Sequence, residues 1–241
     1  MLTLPQTPSL RLDGKRALVT GASRGIGFEF ARQYVQEGWR VLATARDDQG
    51  CAKLQAIGAE AFKLDVAQPS SVSGLSWRLD GERIDLALYV AGVMDRNSPK
   101  TPPTQEVFDE LMHANVLGAM QALPQVAPWV AEANGTFAFI SSRMASLELT
   151  DSGRAALYKV SKAALNMMVV ALALELQPKG FKVVALSPGQ VDTQGYAARG
   201  MVVPGTVPVE QSVAGLRNVI DRLTREQSGS FIRYSGDVQP W

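Results

Sequence analysis

The sequence is poor in the two residues that most often bind structural metals, with one cysteine, Cys51, and one histidine, His113, in 241 residues. A lone cysteine cannot form an internal disulfide, so a secreted fold held by disulfides is excluded. One cysteine and one histidine also cannot supply the usual ligand set of a zinc site. We therefore expect a reduced, cytoplasmic compartment and no metal ion.

The sequence also lacks an excess of charge of either sign. The 24 lysines and arginines nearly balance 23 acidic residues, for a net charge of +1. Neither nucleic acid nor an anionic membrane surface is expected as the main partner. No uninterrupted apolar run reaches the roughly 18 residues that span a bilayer. Residues 1–13 have two prolines and no apolar core of a signal peptide, so we interpret them as a flexible lead-in to one domain at 14–241.

Short apolar runs alternate with longer segments of helical period along the rest of the chain. The runs are continuous rather than alternating, which is typical of parallel strands buried on both faces. They lie at 16–20, 39–44, 84–90, 136–140 and 181–186. Apolar residues recur every three or four positions between them, most clearly at 26–34, 157–176 and 213–223. This alternation predicts a single-domain α/β Rossmann fold, a doubly wound parallel sheet of about seven strands with helices on both faces.

The first run leads into a glycine-rich turn and then into a helical segment. The residues of this turn that we expect to contact a dinucleotide pyrophosphate are Gly21, Ser23, Arg24, Gly25, Ile26 and Gly27. Glycine permits a tight turn and a close backbone approach, and a helix N-terminus presents free N–H groups to an anion. A purely structural turn is the alternative. The segment 21–25 also matches the G-x-S-x-G nucleophile turn of α/β-hydrolases, but the single histidine lies too early in the chain for that triad.

The end of the second run predicts the choice between NAD and NADP. An acid there binds the adenine ribose hydroxyls, whereas a cation binds the 2′-phosphate. The position holds Ala45, followed by Arg46, and Arg24 is a second cation within reach. These residues favour NADP(H), although Asp47 and Asp48 follow directly. Asp65 and Val66, at the end of the third strand, are placed to contact the adenine.

Tyr158 and Lys162 lie four residues apart at the start of a predicted long helix, so their side chains share one face. An ammonium near a phenol lowers its pKa from about 10 and suits it to proton transfer. Ser142, at the end of the fifth strand, is placed to hydrogen bond a substrate carbonyl. Asn115 interrupts a helical segment, where it can bind backbone and water in a proton path.

Residues beyond the sixth strand are also candidates for cofactor and substrate binding. Pro188 and Gly189 end that strand, and the Thr193 hydroxyl is placed to bind the nicotinamide carboxamide. The irregular segment 190–208 is either a mobile lid over the substrate or a plain surface loop. Four residues that follow strand ends either line an apolar pocket or are ordinary packing: Met94, Met144, Tyr196 and Met201.

These motifs, in this order, resemble the short-chain dehydrogenase/reductase family over nearly the whole chain after about residue 11. The resemblance implies hydride transfer between NADP(H) and a carbonyl or alcohol carbon, with Asn115, Ser142, Tyr158 and Lys162 as the catalytic tetrad. It also implies further cofactor contacts, in which Tyr158 and Lys162 are joined by Ala91, Gly92, Pro188, Gly189, Val191 and Thr193. Relatives are often homodimers or homotetramers that associate through their long helices.

The segments 140–146, 161–167 and 235–241 resemble the C-factor-like branch of that family, which includes carbonyl reductases and proteins known for developmental signalling. A sensor that binds NADP(H) with little catalysis is therefore the alternative function. Two departures from the family pattern stand out. Val90 occupies the position of the usual asparagine before Ala91-Gly92, and Ser142 and Tyr158 are 16 residues apart, which indicates a longer loop beside the substrate.

Overall fold

A computed structural model describes residues 14–94, 102–133, 135–193 and 204–241. Seven parallel strands form one sheet in the order β3-β2-β1-β4-β5-β6-β7, which confirms the predicted doubly wound fold. The strands are β1 Arg16–Thr20, β2 Arg40–Ala45, β3 Glu60–Lys63, β4 Leu86–Tyr89, β5 Thr136–Ile140, β6 Lys182–Ser187 and β7 Ser230–Arg233. The proposed lead-in, 1–13, lies outside the described residues.

Helices connect the strands and cover both faces of the sheet. They are α1 Gly25–Gln36, α2 Asp48–Ala56, α3 Pro69–Ser73, α4 Leu75–Arg78, α5 Gln105–Met112, α6 Gly118–Ala133, α7 Ala156–Leu176 and α8 Val209–Arg222. A π-helical turn, His113–Leu117, joins α5 to α6, and short 3₁₀ turns occupy Arg143–Ala145 and Gln177–Lys179.

The core consists of two apolar layers, one on each face of the sheet. Neighbouring residues of β1 alternate between them: Leu18 packs with α3, α4, α6 and α7, whereas Ala17 and Val19 pack with α1, α2 and α8. This double burial explains why the strands are continuously apolar. Complete burial of each large aliphatic side chain contributes about 1.5–3 kcal/mol.

The parallel strands bring their carboxyl ends to one edge of the sheet, where the connecting loops carry the candidate residues. Several strands end slightly earlier than the sequence motifs suggested. β3 ends at Lys63, β5 at Ile140 and β6 at Ser187, so Asp65, Ser142 and Gly189 lie in the loops beyond them. Loop positions at this edge are where ligands of open α/β sheets bind.

Among the described helices, α7 is long and apolar enough to cross a membrane by length and composition, with 39% of its apolar window buried. In the fold it packs along β6 and against the π-helical turn, and its residues Leu165 and Val169 are completely buried. It therefore makes the contacts of a core helix, while one of its faces remains outside the core.

Candidate active site

The glycine-rich turn between β1 and α1 has the backbone geometry of an anion site. Gly21 and Gly25 adopt φ angles of +74° and +55°, which L-amino acids with side chains rarely adopt. Helix α1 begins at Gly25, and its first turn contains no acidic residue. The Arg24 side chain makes no capping bond to the helix among the described residues. The first N–H groups and the positive end of the helix dipole are therefore available to a phosphate.

The same turn is packed closely against other loops of this edge. A Cβ atom at Gly21 would lie 2.7 Å from the Cα of Ala91, and one at Gly27 would collide with the carbonyl of Gly21. A Cβ at Gly25 would touch the Thr193 side chain at 3.4 Å. Ser23 and Ile26 are half-buried within the turn. The loops after β1, β4 and β6 thus converge, as the sequence motifs predicted.

The groups next to β2 agree with a 2′-phosphate site. Arg24 and Arg46 are exposed, and neither forms an ion pair within the described part of the chain. The acids that follow are both engaged. Asp47 caps α2 by accepting from the Gly50 amide at 2.7 Å, and Asp48 pairs with Lys63 at 3.1 Å. Each acid thus already has a partner of its own within the described part of the chain.

The two residues expected at the adenine lie just beyond β3. Asp65 accepts from the Ala67 amide at 3.0 Å through Oδ1, which orders its own turn. The Val66 side chain is buried in the core layer that contains α6. The backbone of Val66 and the second carboxylate oxygen of Asp65 remain as groups for an adenine, since that oxygen has no hydrogen-bond partner among the described residues.

Tyr158 and Ser142 meet at the carboxyl edge of the sheet. The phenol of Tyr158 and the hydroxyl of Ser142 lie close enough for the serine to lower the pKa of the phenol. The Ser142 hydroxyl also accepts from the Met144 amide at 3.2 Å. Ser141, in contrast, is buried and donates to Asn166 at 2.6 Å. Of these two neighbouring serines, Ser142, the residue expected at the site, lies beside Tyr158, and its role stays a prediction.

Lys162 is buried beside Tyr158, with its Nζ atom 6.0 Å from the centre of the Tyr158 ring. Nζ donates to the Ile140 carbonyl at 2.9 Å. Burial lowers the pKa of Lys162 to about 8. Burial also raises the pKa of Tyr158, and the neighbouring Ser142 hydroxyl opposes that rise. The expectation of a lowered tyrosine pKa is thus wrong for this structure, because removal from water outweighs the neighbouring groups.

Asn115 lies inside the π-helical turn, completely buried. Its Oδ1 accepts from the Val93 amide at 2.7 Å, while Nδ2 donates to the Val93 carbonyl at 2.9 Å and to the Ser161 hydroxyl at 2.9 Å. The amide group therefore ties the loop after β4 to α7. The expected contact of Asn115 with backbone groups is present, and its contact with water in a proton path stays a prediction. Ser161 was missed by the sequence analysis, although its place directly before Lys162 is a usable signal.

Gly92 allows these groups to approach each other. A Cβ at this position would lie 2.7 Å from Asn115 Oδ1 and 3.4 Å from Lys162 Nζ. The structure thus brings the four proposed tetrad residues and the loop after β4 into one region. Their catalytic roles stay predictions.

The loop after β6 is ordered by contacts with the last part of the chain. The Pro188 carbonyl accepts from Ser212 at 2.7 Å, Gly189 has a φ of +79° against the Tyr234 ring, and Val191 pairs with Val207. Thr193 donates its amide to Val191 at 2.9 Å.

The predicted apolar pocket is only partly visible. Met94 is exposed and Met144 is half-buried. Tyr196, Met201 and most of the hypothesised lid lie outside the described residues.

Comparison with known proteins agrees with this geometry. The family model described as short chain dehydrogenase matches residues 15–200. The chain belongs to the short-chain dehydrogenase family. The resemblance predicted from the glycine turn, the serine pair and the Tyr158–Lys162 spacing is thereby confirmed at the level of the family.

Two relatives and one solved structure show which members of the family this short-chain dehydrogenase is similar to. It is 31% identical over 229 residues to 1-hydroxy-2-glutathionyl-2-methyl-3-butene dehydrogenase of Rhodococcus sp. (strain AD45), covering 93% of this chain and 98% of the relative. It is 40% identical over 129 residues to C-signal of Myxococcus xanthus, covering 53% and 74%. An NADPH-bound carbonyl reductase from chicken fatty liver superposes with a TM-score of 0.84 at 27% identity, covering 95% and 94%.

Membership in the short-chain dehydrogenase family also decides between two interpretations of the glycine-rich turn, as a dinucleotide site or as the nucleophile turn of a hydrolase. In this short-chain dehydrogenase Ser23 belongs to the turn before α1, and His113 begins the π-helical turn before α6. The hydrolase alternative therefore has no family support. Among the described residues no cluster of three or more His, Cys, Asp or Glu side chains is arranged to hold a metal ion.

Proposed function

We propose that this protein is an NADP(H)-dependent oxidoreductase that interconverts a ketone or aldehyde with its alcohol. The observation that carries the proposal is the placement of Ser142 and the buried Lys162 next to Tyr158, at the same sheet edge as the glycine turn. The Rhodococcus relative is named a dehydrogenase, and the chicken structure is named an NADPH-bound carbonyl reductase. Both names support this reaction class.

The residues present fit a nicotinamide dinucleotide. The turn at Gly21–Gly27 presents free helix N–H groups to a pyrophosphate, and close packing at Gly21 and Gly27 leaves no room for side chains there. Arg24 and Arg46 offer two exposed cations to a 2′-phosphate, which favours NADP(H) over NAD(H). When bound, the reduced cofactor supplies a hydride to the carbonyl carbon.

Proton transfer is assigned to Tyr158. Its raised pKa keeps the phenol protonated at neutral pH, so it can donate a hydrogen bond and then a proton to the substrate oxygen. Ser142, which lies beside that phenol, supplies a second donor to the same oxygen. Lys162, still protonated below a pKa of about 8, provides a positive charge that stabilises the phenolate left on Tyr158.

The test is the substitution Tyr158→Phe, which removes the hydroxyl and leaves the ring. We expect kcat for carbonyl reduction to fall by about 10²–10⁴-fold, since the general acid is lost. NADPH binding, measured by fluorescence titration, should be little changed. Activity is followed as NADPH oxidation with a panel of aryl ketones, aldehydes and quinones. Turnover retained by the variant would overturn the assignment.

The serine pair provides a matched control within the same loop. Ser142→Ala removes the hydroxyl that contacts Tyr158 and should lower kcat strongly. Ser141→Ala removes a hydroxyl bonded only to Asn166 in the described structure, so it should lower stability by about 1 kcal/mol with kcat retained. If wild-type protein binds NADPH but reduces no compound of the panel, the sensor alternative replaces this proposal.

We also propose that the protein acts as a homo-oligomer in the cytoplasm. Support for association comes from α7, where Val160, Met167 and Leu174 are exposed at intervals of seven residues. Such a spacing places three apolar side chains in one stripe along a helix. A second copy of the chain is the proposed cover, as a dimer or a tetramer.

A further inference from the structure

Tyr89, the last residue of β4, carries its phenol into the interior between the sheet and the start of α6. The residue is 5% exposed, and its ring lies 6.2 Å from that of Phe139. Its hydroxyl donates to the Ala114 carbonyl at 2.9 Å. A buried phenol needs such a partner, and burial raises its pKa far enough to keep it a donor throughout the physiological range.

The accepting carbonyl belongs to the π-helical turn His113–Leu117. A π turn is rare and less favourable than a continuous α-helix, and it often occurs at functional sites. An added Cβ at Gly118 would lie 2.7 Å from the Tyr89 hydroxyl, so glycine at the end of this turn leaves space for the phenol. Tyr89 and Gly118 are thus complementary in shape at the point where the helix widens.

Ala114 directly precedes Asn115, whose amide group joins three parts of the site. Asn115 bonds the Val93 backbone in both directions and donates to Ser161, and Ser161 donates in turn to the Tyr158 carbonyl at 2.8 Å. A continuous series of hydrogen bonds therefore runs from the Tyr89 hydroxyl, through one peptide unit and Asn115, to the helical turn that carries Tyr158.

We propose that Tyr89 is a positioning residue that holds the π-helical turn so that Asn115 can bind Val93 and Ser161. Val90, its neighbour, has an apolar side chain where the family pattern has an amide. The side-chain hydrogen bond that joins the end of β4 to the π-helical turn therefore comes from Tyr89. The catalytic consequence rests on the proposed function, whereas the structural consequence does not.

The first test needs no substrate or cofactor. In Tyr89→Phe, amide hydrogen exchange should accelerate about fivefold or more at 113–118 and at Val93, whose N–H is held by Asn115, as expected for loss of one buried bond. Tyr34→Phe is the matched control, because Tyr34 is equally buried but lies in the layer on the other face of the sheet. Its exchange at Val93 should match that of the wild type. Unchanged exchange at Val93 in Tyr89→Phe overturns the proposal.

The second test measures catalysis in a double-mutant cycle. With NADPH and an aryl ketone of the panel, Tyr89→Phe should lower kcat about three- to tenfold and leave the NADPH dissociation constant unchanged. The effect should largely disappear in an Asn115→Ala background, because both changes break the same series of bonds. Additive effects would contradict a role through Asn115. If the wild type reduces no carbonyl compound, the proposed function fails, and hydrogen exchange still decides the role of Tyr89.

Discussion

The side chain of Lys162 has a position that serves chemistry at the expense of stability. It is 4% exposed, and the Ile140 carbonyl is its hydrogen-bond acceptor. Burial favours the neutral amine and lowers the pKa to about 8 from the ordinary value near 10.5. Below pH 8 the folded protein therefore holds a charge that would be better solvated in the unfolded chain. This cost is the reason to expect a functional role at that position.

Lys162→Met should raise the free energy of unfolding at pH 7 by about 2 kcal/mol, while abolishing most activity. Because the folded pKa lies below the unfolded pKa, the cost in the wild type is complete below pH 8 and disappears as pH rises towards 10.5. The advantage of the variant should therefore shrink across that window. Urea unfolding at pH 7 and pH 9.5 measures it, with Lys179→Met, at an exposed lysine, as the control. A pH-independent difference would argue against a buried charge as the cause.

The segment after β7 acts on the long loop between Ser142 and Tyr158. It turns back so that Val238 pairs with Ile232, and the Trp241 ring stacks on Phe231 at 5.6 Å. The main-chain oxygen of Trp241 accepts from the Ser146 hydroxyl at 3.3 Å and from the Glu148 amide at 3.2 Å. The loop that the residue spacing predicted is thus held at its middle by the last part of the chain.

Trp241→Ala should release that loop, because the stacked ring no longer holds the main chain against Ser146. We expect faster amide exchange at Glu148 and Leu149, and a loss of about 1–2 kcal/mol of stability for an aromatic side chain that is 41% exposed. Trp241→Phe should preserve most of both. Trp77→Ala, at a tryptophan that is 85% exposed, is the control and should change neither quantity. Protected amides in Trp241→Ala would show that the ring is not what holds the loop.

Across the whole molecule, the sheet was predictable because strands buried on both faces are continuously apolar. The runs at 16–20 and 136–140 coincide with β1 and β5. β7 has no comparable apolar run in the sequence, since the first and last of its four residues, Ser230 and Arg233, are polar. The π-helical turn was also invisible, because one extra residue in a turn barely changes the apolar period. The hydrogen bonds of Asn115, Ser161 and Tyr89 depend on that turn and could not be inferred from spacing.

The apolar stripe on α7 is a property of the whole molecule, since no element of the described fold covers Val160, Met167 and Leu174. A second copy that packs against this apolar stripe removes its side chains from water. Burying a charge in such an interface costs several kcal/mol of desolvation free energy. Met167→Glu should therefore convert the proposed oligomer to a monomer of 25.9 kDa in sedimentation velocity. Trp77→Glu, at a single exposed apolar residue on α4, should leave the oligomer intact. An oligomer that survives Met167→Glu must associate through another surface, because a carboxylate pair at the centre of a dry helical contact would separate the two copies.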